Sequence, residues 1–313
     1  MYSEAIRRAA GDLAWSLWSE LGVSGVVRNH ATTAIDLEPL LAFTPTLAHE
    51  DPRLLEQVLS WCVDHADRVN TGRLATLVKQ LPAPARVTFE AFASTVNHVA
   101  GTRWPSAGPV WDPLPRLRPV PLPMGRPALV RLRARALCGV GTRSDVLCDL
   151  LARPGSWPTA AVLAEAGHSK RNVARTLSEL EAAGIMVRLP SGNALRFRLA
   201  NPVALTTVLG GVPPANPQWL AVFKLVTMLL DLARMEGISS TVRRVQANTL
   251  RDAAAPLAEL LGLAAPPQTR GEPEAWELLA SWGAAQVDGL AGGSSAALGA
   301  EGVRASALPP GLE

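Results

Sequence analysis

The sequence predicts a mainly α protein with one small β-hairpin near the middle of the chain. Three observations support this fold class. Apolar residues recur at helical spacing across most of 3–100 and 203–288. Prolines are concentrated in 101–127, where regular helix is disfavoured. Residues 185–199 alternate between apolar and basic side chains, which is typical of paired strands.

The first hundred residues are predicted to form a helical N-terminal domain, 1–100. Its first helix covers 5–21 and has an apolar face that includes Leu13 and Leu17. Shorter helices follow, and their predicted ranges are 36–43, 51–69, 74–81 and 85–99. The linker 101–127 then holds eight prolines, so it is predicted to be extended, packed against a neighbour or semi-rigid.

A third unit is predicted over 128–202, and it begins with a short helix over 129–136. Basic and apolar residues alternate in this helix, and its arginines are Arg131, Arg133 and Arg135. The next helix is predicted over 143–152. Its inward-facing side chains are predicted to be Val146, Leu147, Leu150 and Leu151.

A tight turn is predicted between the next two helices. Thr159 is placed to cap the first helix, and Gly167 supplies a residue that tolerates left-handed backbone where it ends. Ser169 caps the second helix, which Gly184 ends. Spacings of four and three put its buried stripe on one face, at Val173, Leu177 and Leu180.

The second helix, 169–184, has a basic and polar N-terminal part. The residues predicted to face outwards there are Ser169, Lys170, Arg171, Asn172, Arg175 and Thr176. The hairpin that follows turns at 191–193, with Asn193 at its tip. Its apolar side chains are predicted to face the core, and its outward-facing arginines are predicted to be Arg188, Arg196 and Arg198.

A helix, a tight turn, a longer helix and a basic hairpin in this order indicate a winged helix-turn-helix domain. Such a domain places its second helix, here 169–184, in the DNA major groove. The wing, here 187–199, would lie on the flanking DNA backbone. Arginine pairs well with guanine and asparagine with adenine, so the residue types suit this task.

Residues 143–200, about a fifth of the chain, resemble the winged-helix domains of bacterial transcriptional regulators of the MarR and ArsR type. The stretch 169–187 is similar to their recognition helix running into the wing. The resemblance implies a set of DNA-facing residues, Ser169, Arg171, Asn172 and Arg175 on the helix and Arg196 and Arg198 on the wing. The Cys pair with which ArsR-type sensors bind metal is not apparent.

The charge is unevenly distributed along the chain. Residues 116–200 hold 14 Lys plus Arg and 5 Asp plus Glu, whereas the flanking parts are slightly acidic. A local basic field favours phosphate binding, although Arg outnumbers Lys 27 to 3 and part of the excess reflects genomic bias. Two interpretations of the arginines in 129–136 stay open, since they either flank DNA or are surface charge near a domain junction.

After the hairpin unit the pattern is helical again, and 203–288 is assigned to a C-terminal helical domain. The most apolar stretch is 217–235, which should be buried on several sides, either within one chain or across a dimer interface. Further helices are predicted over 241–261 and 273–289. Residues 289–313 are rich in Gly, Ala and Ser and are predicted to be a disordered tail.

Motifs of enzymes and of cofactor or metal sites are not found, so we expect neither an enzyme nor a bound cofactor. The sequence has no Walker loop, no Gly-rich dinucleotide fingerprint, no HExxH and no CxxC. Cys62 and His65 are a weak metal half-site, because a Cys on an apolar helix face is usually core. Cys138 and Cys148 form a redox pair only if the fold brings them together.

Sparse cysteines, the lack of a secretory core and the absence of long apolar runs predict a cytoplasmic, bacterial protein without a membrane span. The sequence as a whole predicts a sequence-specific transcriptional regulator, a repressor that binds double-stranded DNA. One winged helix buries too little DNA for tight binding, so we expect a homodimer, with 217–235 as the candidate interface. The alternative is a protein-interaction module or antitoxin-like protein with a protein partner.

Overall fold

The computed structural model describes residues 2–25, 27–211, 215–235, 239–268 and 275–294. Within these ranges the chain forms thirteen α-helices and one two-stranded antiparallel sheet, so the mainly α fold class is confirmed. In this part of the chain no helix has the length and hydropathy needed to cross a membrane.

The helices occur in three groups along the chain. The N-terminal group is α1 (Tyr2–Glu20), α2 (Leu37–Phe43), α3 (Pro52–Asp64), α4 (Thr71–Val78) and α5 (Ala83–Ala100). The middle group is α6 (Val130–Cys138), α7 (Thr142–Leu151), α8 (Ala160–Ala164) and α9 (Lys170–Ala182), followed by β1 (Met186–Ser191) and β2 (Ala194–Leu199). The C-terminal group is α10 (Pro202–Val208), α11 (Trp219–Arg234), α12 (Ser240–Leu260) and α13 (Ala275–Ala291).

The N-terminal and C-terminal groups share one hydrophobic core, although the sequence placed 1–100 and 203–288 in separate domains. Helix α1 packs against both α11 and α13. The Phe43 ring of α2 stacks on the Phe223 ring of α11 with their centroids 4.7 Å apart. The spacing of apolar residues and the composition cannot show this shared core, because they describe each helix and not the helix that packs against it.

Helix α11 is buried inside this core on several sides, as its apolar girth predicts. Trp219, Val222 and Leu229 are each at most 1% exposed. The Trp219 indole donates to the Ala34 carbonyl at 2.6 Å. Of the two alternatives for 217–235, the structure shows burial within one chain, which already covers most of the apolar surface of this helix.

The proline-rich segment between α5 and α6 is extended and packed, not a free linker. Trp104 is 3% exposed, and Leu122 and Met124 pack against the main core. The Val120 amide donates to Asp64 Oδ2 at 2.7 Å. This segment ties the second half of the chain to α3.

Helices α7, α8 and α9 and the hairpin pack around a second core, and we call residues 142–199 the helix–hairpin unit. Helix α6 belongs to both cores. Its Leu132 side chain lies in the main core, whereas Val130 and Ala134 lie in the second one. The unit is thus attached to the body through a shared helix.

At the C-terminus, α13 continues to Ala291. The first residues of the predicted tail, 289–313, therefore belong to a helix. Residues 295–313 lie outside the described residues, so the expectation of disorder there stays a prediction.

Candidate nucleic-acid interface

Helix α9 forms as its sequence predicts. The Ser169 hydroxyl accepts a hydrogen bond from the Asn172 amide at 3.2 Å and so caps the first turn. The buried stripe of Val173, Leu177 and Leu180 is at most 3% exposed. Burial of each such side chain contributes about 1.5–3 kcal/mol, which fixes the rotation of the helix about its axis.

The opposite face of α9 is exposed. Lys170, Arg171, Asn172 and Arg175 all lie at the surface. Arg171 and Arg175 are four residues apart and therefore form one ridge, pointing away from the buried stripe. Among the described residues Lys170 and Arg171 form no ion pair, whereas Arg175 Nε lies 3.8 Å from Glu179 Oε1.

Thr176 does not belong to this exposed face, and its predicted outward position needs correction. It is 6% exposed. Three residues after Val173 and four before Leu180, it falls within the buried stripe. The basic and polar residues around Thr176 in the sequence favoured an outward position, whereas its spacing to Val173 and Leu180 places it inward.

The hairpin has the predicted turn, but the residues of its first strand that face the core are not the predicted ones. The two-residue turn at Gly192 and Asn193 pairs Ser191 with Ala194, which puts Met186 opposite Leu199. Met186 is therefore buried and Val187 is 39% exposed, although Val187 and Leu189 were predicted to face the core. A register shift of one residue exchanges the two faces of a strand.

This register separates the three wing arginines. Arg188 shares the face of Phe197, and its Nε lies 2.9 Å from Glu181 Oε1 of α9, but its side chain is 49% exposed, as predicted. The other two lie on the outer face, where Arg196 Nη1 donates to the Trp157 carbonyl at 3.2 Å. Arg198 is exposed and lies over the Trp157 ring at 4.6 Å. Asn193 is exposed at the tip.

The turn before α9 is tight because Gly167 has φ +95°. Thr159 Oγ1 accepts from the Val162 amide at 3.4 Å, which confirms the predicted cap of α8. A Cβ at Gly167 would lie 2.8 Å from Leu77 Cδ2 of α4. Glycine at this position therefore permits both the backbone turn and the close approach of the unit to the N-terminal helices.

Two arginines of α6 lie inside the molecule, which corrects both interpretations of the arginines in that helix. Arg131 and Arg135 are 4% and 2% exposed and occupy one face. Arg131 Nη2 donates to the Asp149 carboxylate, and Arg135 Nη2 donates to Asp145 Oδ1 at 3.1 Å. Arg133 is half-buried and donates to three backbone carbonyls.

These ion pairs continue into the N-terminal helices. Arg135 donates to both Glu38 carboxylate oxygens at 2.7 Å, and Arg73 Nη1 donates to Glu38 Oε2 at 2.9 Å. Arg73 also pairs with Asp36 and donates from Nε to the Ala166 carbonyl at 2.8 Å. The buried charge network joins α4, α6 and α7 with the start of α2, and its members are Asp36, Glu38, Arg73, Arg131, Arg135, Asp145 and Asp149.

His168 packs in the turn against this network and does not point to solvent. Its Nε2 lies 3.2 Å from Asp145 Oδ2. Burial opposes ionisation of Asp145, but Arg135, His168 and Arg73 outweigh it and hold the pKa of the carboxyl well below its ordinary value. The network thus keeps its charged form and holds the start of α9 against α7.

The burial of Arg131 and Arg135 reduces the basic surface expected from composition, because their charges are compensated internally. The basic surface that remains includes the first turns of α9 and the outer face of β2. Over the described ranges, no three His, Cys, Asp or Glu side chains come together as a metal site. Burial raises the pKa of the Cys148 thiol to about 12, so this thiol is unreactive at neutral pH.

Comparison of the chain with models of protein families, with curated proteins and with solved structures gave no match. The geometry of the helix–hairpin unit and its attachment to the body are therefore what indicates a function.

Proposed function

We propose that the chain is a sequence-specific DNA-binding transcriptional regulator whose helix–hairpin unit acts as a winged helix-turn-helix domain. The observation that carries this proposal is the exposed first turn of α9, where Lys170 and Arg171 have no ion-pair partner among the described residues. A helix that packs by one face and presents free cations at its N-terminal end suits a major groove.

Each residue has a role that follows from its position. Arg171 and Arg175, on the outer ridge of α9, are assigned to guanine edges, and Asn172 to adenine. Lys170 is assigned to a phosphate. Arg198, on the outer face of the wing, is assigned to the DNA phosphate backbone. Such a contact positions the unit but carries no sequence information.

We infer that two copies act together, because a single unit of this size buries too little DNA for tight specific binding. Two recognition helices would then read half-sites about 34–36 Å apart. Since α11 is buried within its own chain, the contact between copies uses another surface. Sedimentation with and without DNA measures the stoichiometry, and a complex of one chain per site would contradict this inference.

The main test is binding of the purified chain to the DNA upstream of its own gene and to unrelated DNA over a salt series. Selective binding whose log affinity falls linearly with log salt is expected. Arg171→Ala should lose about 1–3 kcal/mol of discrimination between the two DNAs. Arg198→Ala should weaken both equally and reduce the salt slope by about 1.

Arg86→Ala is the matched control, because Arg86 is an exposed arginine. It lies on α5, a helix that packs in the main core and not in the helix–hairpin unit. This variant should leave DNA binding unchanged. Equal binding of the Arg171→Ala variant and the parent chain to both DNAs would show that α9 is not the recognition helix.

A protein partner is the second candidate, and exposed apolar side chains on the hairpin favour it. Val187 and Leu195 are 39% and 44% exposed on opposite faces of the two strands. Weak binding of both DNAs, together with a loss of partner capture in Val187→Ser, would favour this function over DNA binding.

A further inference from the structure

A cavity of about 200 Å³ lies where the helix–hairpin unit meets the C-terminal helices. From the unit it is lined by the end of α7, by α8 and by the turn that follows, including Val162 and Ala166. From the body it is lined by α11 and α12, including Trp219 and Leu257. A molecule in this space would touch both parts of the chain at once.

Arg131 lines this cavity, but its charge is already engaged. Its Nη2 is used by Asp149 and by Asn216 Oδ1 at 3.3 Å. Its Nε and Nη1 are buried, so a molecule in the cavity does not reach them. The charge of a ligand must therefore be met by other cations of the lining.

The ionic groups around the cavity favour an anion. Arg73 and Arg131 are each paired with a buried aspartate. Arg153, which is half-buried, forms no ion pair within the described part of the chain. Among the described residues, the lining thus holds two cations without an ion pair, Arg153 and Lys224, and one such acid, Glu165.

The remainder of the lining is mainly apolar. Val162, Trp219, Leu220 and Leu257 supply hydrocarbon surface. The cavity therefore offers both a cationic and an apolar surface to a single small molecule. An inorganic ion would leave this apolar surface unfilled.

We propose that this cavity binds a small organic carboxylate with an apolar chain. Arg153 is the cationic partner of its carboxylate, and the apolar chain of the ligand packs against Trp219 and Leu257. Binding requires neither DNA nor the proposed regulatory function, so the two proposals fail independently. If both hold, the ligand stabilises the placement of the helix–hairpin unit on the body.

The test uses the full chain and the series acetate, butyrate and hexanoate, with hexan-1-ol as the uncharged analogue. Affinities are measured by ligand-observed NMR. Saturable binding should strengthen about fourfold for each added methylene, because each buried methylene is worth about 0.8 kcal/mol. Hexan-1-ol should bind at least about tenfold more weakly than hexanoate.

Two variants test the site itself. Arg153→Gln should weaken hexanoate about tenfold and leave hexan-1-ol unchanged, since it removes a charge from a half-buried position. Ala166→Leu keeps every charge but fills the cavity, so it should abolish binding of both compounds. Arg86→Gln, at a surface outside the lining, should change neither affinity.

Non-saturable binding of all three carboxylates would overturn the proposal. Equal affinities for hexanoate and hexan-1-ol would also overturn it, as would equal hexanoate affinities in Arg153→Gln and Arg86→Gln. Thermal unfolding of each variant shows whether it keeps the fold of the parent chain. The two variants test different properties, since Arg153→Gln removes a charge and Ala166→Leu removes space.

Discussion

Asp145 shows how a single side chain can hold three elements in place. It lies in α7, contacts Arg135 of α6 and lies beside His168 in the turn before α9. Each partner is buried, so loss of this carboxylate would leave Arg135 with Glu38 as its remaining acid and His168 with no acid beside it. Removing one partner of a buried ion pair costs about 3–5 kcal/mol.

The pH dependence of stability follows from the same group. A carboxyl with a lowered pKa contributes stability that is complete above its unfolded pKa of about 4 and is lost as the pH falls further. We expect the free energy of unfolding in urea to fall as the pH is lowered below about 4. The fall should be shallower in Asp145→Asn, and equal slopes would contradict the assignment.

Individual caps were predictable from the sequence, whereas buried charges were not. Thr159 and Ser169 occur at positions where local backbone chemistry alone requires a short hydroxyl side chain. Arg131 and Arg135 are spaced by four and face Asp145 and Asp149, which are also spaced by four. This matching spacing indicates ion pairs only once α6 and α7 are known to be neighbours.

At the scale of elements, α9 was predictable in extent and orientation, but the hairpin was predictable only in part. Its turn and its second strand follow from alternation. The first strand contains Met186, Val187 and Leu189, so apolar residues are available on either face. Pairing across the turn decides between them, and that is a property of two strands together.

Docking of the helix–hairpin unit on α4 can be tested at two glycines. Gly167 and Gly184 both have positive φ, but only Gly167 faces a neighbour, Leu77 of α4. Gly184→Ala should cost about 1–2 kcal/mol for the backbone alone. Gly167→Ala should cost at least about 1 kcal/mol more, because overpacking adds to that strain.

The measurement is urea unfolding of both variants in parallel. Equal losses would show that the turn does not press against α4 and that other contacts hold the unit on the body. A larger loss in Gly167→Ala confirms close packing across the boundary between the two cores.

At the scale of the whole molecule, the ends of the chain fold together around one core. Helix α1 lies against α13, and α2 lies against α11, so neither end has a complete core without the other. The sequence could predict the helices but not this pairing, because an apolar stripe does not identify the stripe that covers it. The helix–hairpin unit is thus attached to a body made of both ends.

Phe223→Ala tests this arrangement. It removes the ring that stacks on Phe43 and should cost about 3–5 kcal/mol. Val203→Ala is the control, since Val203 is 73% exposed and its change should stay within about 0.5 kcal/mol. Thermal unfolding followed by circular dichroism gives both values, and similar losses would show that α11 does not hold α2.

The buried charge network also has a genetic consequence. A screen for loss of the folded protein would return its seven positions, although the network lies in the interior. Loss of an acid and loss of a base would both be harmful there, because each leaves a buried opposite charge without its partner. Second-site suppressors would then arise in pairs, an acid lost with a base lost, and such pairs would trace which helices adjoin.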